Sequence, residues 1–269
     1  MTKKLKKPIA FLTVFAMLLS VLLYFPEGTF GGFGLSVRAS AADDSNSVYN
    51  DFGDEVSADI SQCVDRNTYT PEEPPKDGSW YLISKPEHLY WFAQQVNGGT
   101  QYMCARLEKD IIVNTNVLKA DGTLNTAEAD TFAEWKPMGT AEKPFTGLFW
   151  GVGHHISGLY FNDDSVEYGG LFGVIGGDTY GRIYDVGIVD SYFNGGAYVG
   201  AIAGQNNFEI VACFSTAVVE SASGTIGGLC ADNNDTLARS YYLDIGFVNA
   251  ADSAKALGAD SFKNGELAY

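Results

Sequence analysis

The sequence predicts an all-β protein: a parallel β-helix (β-solenoid) of short glycine-rich coils with an N-terminal capping helix. Three observations predict it. Between Phe145 and Ala231 lie 18 of the chain's 31 glycines, too many for helices to form there. Three segments of that stretch, YGGLFG (168–173), VGAIAG (199–204) and IGGLCA (226–231), are versions of one motif, and an apolar-led strand follows each, at 182–189, 209–219 and 236–243. The offsets are also regular. Gly169, Gly200 and Gly227 precede Ile183, Ile210 and Leu237 by 14, 10 and 10 residues, while Ile183 to Gly200 and Ile210 to Gly227 are 17 residues each. One arm is constant and the other absorbs an insertion at Gly177–Tyr180, as a fixed strand path with a variable turn would require. Each coil buries its apolar row only against the coils above and below, with glycines expected to supply positive-φ corners.

The elements follow in order. Residues 1–41 read as a signal peptide: four lysines, an apolar run from Ile9 to Phe25, and the small residues Ala39-Ser40-Ala41 as cleavage site. An uncleaved membrane anchor is the alternative. Residues 42–77 hold ten acids and two bases and read as a disordered acidic leader. Residues 78–134 form the N-terminal cap, strand–helix–strand, with a polar insertion. Its first strand is Trp80–Ile83. Ser84-Lys85-Pro86-Glu87 has capping-box spacing, Leu89, Phe92, Ala93 and Val96 share one helical face, and Asn97-Gly98 ends the helix. Arg106–Val113 reads as the second strand, and 119–134 as the polar excursion. The solenoid spans 135–259, and 260–269 begins a C-terminal cap.

Removing the signal peptide's net +4 takes the chain from −16 to −20, a charge that repels nucleic acid and anionic membrane alike. The signal peptide implies that the mature form is secreted or held at the cell surface. Its four cysteines, Cys63, Cys104, Cys213 and Cys230, show no metal-ligand spacing and are expected to be free buried thiols.

WKPMGTAEKPFTGLFWGVGHHISGLYF (135–161), together with the three glycine motifs above, resembles the GLUG-motif repeat proteins, exported or surface β-helix proteins of bacteria. LYWFAQQVNGG followed by LEKDIIV is similar to the usual entry into such domains, and SFKNGELAY to their exit. The likeness spans about residues 78–269. It implies adhesion or scaffolding and carries no shared catalytic set. Two departures stand out. Trp150, Val152 and His155 replace polar residues of the usual FDGNGHTI turn, and the chain stops at Tyr269 where relatives usually continue, so a truncated chain is expected.

Each candidate for chemistry has a plainer reading beside it. Gly151-Val152-Gly153 lacks the third glycine and the following helix of a phosphate loop, so no cofactor is expected. His154 and His155 are neighbours on an extended strand and should point to opposite faces, which argues against a shared metal. Paired carboxylates among Asp163, Asp164, Glu167, Asp178, Asp185, Asp190, Asp232 and Asp235 would suit a glycoside hydrolase or lyase, the alternative function. Half of them, Asp163, Asp178, Asp232 and Asp235, sit beside Asn or Gly, where Asp serves turns. The favoured reading is a non-enzymatic binding module or spacer whose ligand, a host or bacterial surface glycan or protein, contacts Trp150, His155 and Tyr184.

Overall fold

The computed structural model describes residues 69–177, 180–244 and 255–258, with two short paired strands, β1 (Val48–Tyr49) and β2 (Glu55–Val56). All lie within one compact unit, Leu35–Tyr269. The expected signal peptide, most of the acidic leader, the 260–269 segment, Cys63 and Asp178 fall outside the described residues. The last part of the leader is folded. The Tyr69 ring lies 4.9 Å from that of Tyr90, its hydroxyl donates to the Val113 carbonyl, and Pro74 is buried. Next, β3 (Lys76–Asp77) pairs antiparallel with β4 (Trp80–Ile83). The folded region therefore starts before Gly78: a tyrosine finds an aromatic partner and a proline is buried despite the acids around them.

The helix α1 (Pro86–Gly98) buries Leu89, Phe92, Ala93 and Val96, as the spacing requires, and closes on a left-handed Gly99. The capping box does not form. Lys85 is the N-cap, held extended by the proline after it, and Ser84 instead places its amide and hydroxyl 3.3 Å from His88 Nδ1. After α1 come β5 (Cys104–Leu107) and β6 (Ile111–Ile112), so the strand expected over 106–113 is broken at the turn 108–110.

From there the chain makes the same tour repeatedly. The first pass is β7 (Leu148–Trp150), β8 (His155–Ser157), β9 (Tyr160–Asn162), β10 (Tyr168–Gly169) and β11 (Phe172–Ile175). The second is β12 (Arg182–Tyr184), β13 (Gly187–Val189), β14 (Tyr192–Gly195), β15 (Tyr198–Gly200) and β16 (Ala203–Asn206). The third is β17 (Glu209–Val211), β18 (Phe214–Ser215), β19 (Val218–Ser221), β20 (Thr225–Gly227) and β21 (Cys230–Asn233). Finally come β22 (Thr236–Ala238), β23 (Tyr241–Leu243) and β24 (Lys255–Leu257). Each strand pairs in parallel with its counterpart in the next pass. The largest sheet runs β22-β17-β12-β7-β5-β4-β3, the second β24-β23-β18-β13-β8-β6, and three smaller sheets collect the remaining strands.

Alternation along each short strand decides what is buried. Phe149, Ile183 and Ile210 stack in register and are fully buried, as are Phe145, Ile156 and Leu159. Ile183, Ile210 and Leu237 align as their spacing requires. The glycine motif needs one correction: Gly169 pairs with Val199, not Gly200, yet Phe172 pairs with Ala203. The second pass thus carries one more residue between Val199 and Ala203 than the first does between Gly169 and Phe172, opposite Gly170, whose φ of 146° no side chain tolerates well and where a Cβ would meet the Gly200 carbonyl at 2.2 Å.

The corners also depart from expectation. The strands expected over 182–189, 209–219 and 236–243 are each split. The bend out of the largest sheet falls on Asp185, Ala212 and Arg239, at φ 53°, 58° and 50°, all non-glycine. The excursion after β6 is tied in by Asn114, buried at 1% exposure, whose amide bonds the Ala133 backbone in both directions and the Gly158 carbonyl. Val117 and Phe132, on either side of the excursion's tip, then pack on Tyr192 and Val218 as a second small core.

Candidate functional site

The outward column of the largest sheet carries the sequence-predicted aromatics. Arg106, Trp150 and Tyr184 are successive register partners, so Trp150 and Tyr184 are neighbours on adjacent strands. Trp150 follows buried Phe149 and faces out by alternation, with 40% of its surface exposed. Trp80, from β4, leans against it, with ring centroids 6.2 Å apart at 54°. The Asp185 main-chain carbonyl accepts the Gly153 N–H at 3.1 Å, and burial raises the Asp185 carboxyl above the usual carboxylate range although the neighbouring Trp150 side chain and Gly153 amide favour its charged form.

Beside this pair lies a polar cluster. The Tyr184 hydroxyl donates to Glu209, and its pKa is raised first by burial and then by that carboxylate. Arg182 Nε sits 3.1 Å from Glu209 Oε2, and the guanidinium lies 5.4 Å and 5.3 Å from the ring centroids of Tyr180 and Phe208. The face thus offers aromatic surface, an arginine and two acceptor carboxylates on strands held by parallel pairing.

His155 belongs elsewhere. It opens β8, in the second sheet, where its register partners are not aromatic. The expectation that the two histidines diverge fails, because His154 lies in the turn before β8 and strand alternation does not govern it. His154 Nδ1 and His155 Nδ1 approach the same Asp110 Oδ1, at 3.1 Å and 3.2 Å, and the His155 amide donates to it at 3.0 Å. The shared partner is a carboxylate oxygen surrounded by N–H donors. Among the described residues, no group of three or more His, Cys, Asp or Glu side chains is placed to hold a metal ion.

The acids expected in turns divide in two. Asp163 accepts the Ser165 amide at 2.8 Å, a local turn bond, and Asp232 accepts from Gln205 at 2.7 Å. Asp185 and Asp190 are instead drawn inside. A cleft of about 210 Å³ is lined by Glu142, Glu167 and Tyr168 beside Pro137 and Thr140. Its Glu142 is held below the usual carboxylate range by its own backbone amide and by the Thr140 hydroxyl, the opposite of what a general acid needs. Cys104 and Cys213 are free thiols, Cys104 only half-buried and not buried as expected, and burial pushes the Cys213 thiol up to about 12. Among the described residues, no helix is long and apolar enough to cross a membrane.

Sequence reasoning missed Trp80 and the Arg182 cluster. The signal for Trp80 was present in SWYLI as a counterpart of GLFW, but α1 and the polar excursion intervene and hide the repeat. No protein-family model, curated protein or solved structure matches this chain.

Proposed function

We propose that this chain is an exported bacterial cell-surface or secreted protein of the GLUG-repeat kind, with its parallel sheets wound as a β-helix. In this reading it acts as an adhesin or binding module for a surface glycan or protein, or as a structural spacer, and not as an enzyme. The repeated tour of five parallel sheets supports the β-helix, and the apolar N-terminal run supports export.

The observation that carries the binding reading is Trp150. A tryptophan directed outward from a rigid ladder and propped by Trp80 is preorganised for contact. Capture by the purified chain on glycan and surface-protein arrays tests it. At least one ligand should lose roughly tenfold or more in affinity in Trp150→Ala while the far-ultraviolet circular dichroism is unchanged. Capture identical in the two proteins would remove Trp150 as the contact. Release of reducing ends from a polysaccharide panel would overturn the non-enzymatic part.

A further inference from the structure

We propose that Asn234 is an N-glycosylation acceptor, taking an oligosaccharide from a lipid-pyrophosphate carrier outside the cytoplasm. It goes beyond the Trp150 contact and rests only on the export proposed above. Asn234-Asp235-Thr236 is the single Asn-Xaa-Ser/Thr triplet in the sequence, and its central residue is not proline. Asp232 stands two residues before the asparagine, where bacterial transferases of this class also select an acid. In an exported chain such a triplet is an acceptor when it lies on an exposed turn.

The fold supplies that turn. Asn234 and Asp235 connect β21 to β22, and Asn234, Asp235 and Thr236 are all exposed. Asn207 lies 27 residues earlier and touches Asn234, but Glu209, the register partner of Thr236, stands where the hydroxyl would have to be. Only the later turn is therefore complete. The preceding pass holds its backbone: Asn234 N–H donates to the Asn206 carbonyl at 2.8 Å and Thr236 N–H to Phe208 at 3.0 Å. On the far side, β21 and β22 are the last strands of their sheets among the described residues. An oligosaccharide attached between them meets no described neighbouring strand, and it shields two edges otherwise open to pairing.

The side chain can react without loss to the fold. Its Nδ2 donates to Asn207 Oδ1 at 3.0 Å and to Asp232 Oδ2 at 3.3 Å. Transfer forms a bond from Nδ2 to the anomeric carbon and breaks that carbon's bond to a pyrophosphate oxygen. Nδ2 gives up a proton, and the lipid pyrophosphate leaves. The remaining N–H keeps the shorter bond to Asn207, while Asp232 Oδ2 still accepts from Gln205 at 2.7 Å. No buried polar group is left without a partner.

The test incubates the purified full chain with a bacterial oligosaccharyltransferase and a lipid-pyrophosphate-linked oligosaccharide, and reads the intact mass. Wild type and Thr236→Ser should gain the mass of one oligosaccharide, which peptide mapping should place on Asn234 and not on Asn207. Asn234→Gln and Thr236→Ala should gain nothing. Both positions are exposed, and circular dichroism checks that each variant is folded. No gain on the folded wild type, or a gain that survives Asn234→Gln, overturns the site. The chain recovered from the envelope or medium of its natural source should carry an oligosaccharide on Asn234, and an unmodified chain there overturns the proposal as well. A chain that the added transferase modifies, but that its own cells keep in the cytoplasm, overturns export and leaves the acceptor chemistry standing.

Discussion

The Asp190 carboxylate accepts the Leu118 backbone N–H at 2.9 Å, across 72 residues of sequence. The backbone of Val117 and Asn116, at the start of the excursion, also favours its charged form. Burial outweighs them and raises its pKa from 3.8 to about 6. In the unfolded chain this carboxyl ionises near 3.8, so between pH 4 and 6 the folded state holds more protons. Its contribution to stability therefore falls as pH rises through that window, by on the order of 3 kcal/mol, and is constant above it. Urea denaturation of wild type and Asp190→Asn at several pH values isolates this contribution. The difference between the two should change only between about pH 4 and 6, and a difference that is flat there would refute the assignment.

The two glycines that flank β8 should respond very differently to alanine. Gly153, at φ 79°, has open space within 4 Å of where a methyl group would stand, whereas at Gly158, φ 75°, a Cβ would lie 1.9 Å from the Asn114 carbonyl. Gly153→Ala should cost about 1–2 kcal/mol, the left-handed penalty alone. Gly158→Ala should cost more than about 3 kcal/mol, because backbone must move as well. Thermal melts that rank the two equally would contradict the close approach.

Ala212 offers the reverse experiment. It is exposed and bends the chain at φ 58°, a conformation that costs a side-chain-bearing residue about 1–2 kcal/mol. Ala212→Gly relieves that and loses about 0.4–1 kcal/mol through the unfolded chain. A small net gain in melting temperature is expected, and a clear loss would mean the bend is not strained.

Adjacent aromatics should separate stability from binding. Phe149→Ala removes a fully buried ring that meets Phe92 and Phe172, and should cost about 3–5 kcal/mol. Trp150→Ala loses only the Trp80 contact and partial burial, about 1 kcal/mol. Chemical denaturation of both variants measures the contrast directly.

Much of this arrangement was legible in the residues. Ile183, Ile210 and Leu237 lie in register as their spacing required, and alternation fixed Phe149 as buried and Trp150 as exposed. The corners were not legible, because Asp185, Ala212 and Arg239 share a backbone conformation without sharing a side-chain chemistry. Nor was Asp110, which is separated from His154 by 44 residues and reaches it only because β6 and β8 are register partners. Of the three predicted contact residues, Trp150 and Tyr184 meet on one sheet and His155 does not. Parity along a strand was readable, whereas the residue at which the strand begins was not.

The second and third passes repeat at 27 residues, the separation of the hydrogen-bonded pair Gln205 and Asp232. Every outward column therefore gains one member per pass, at unchanged spacing. Duplicating a single 27-residue stretch of gene would lengthen the contact surface by one step without altering any existing contact angle. Reach along a ligand is in this way a quantity that selection can adjust in whole units, independently of the affinity of each unit.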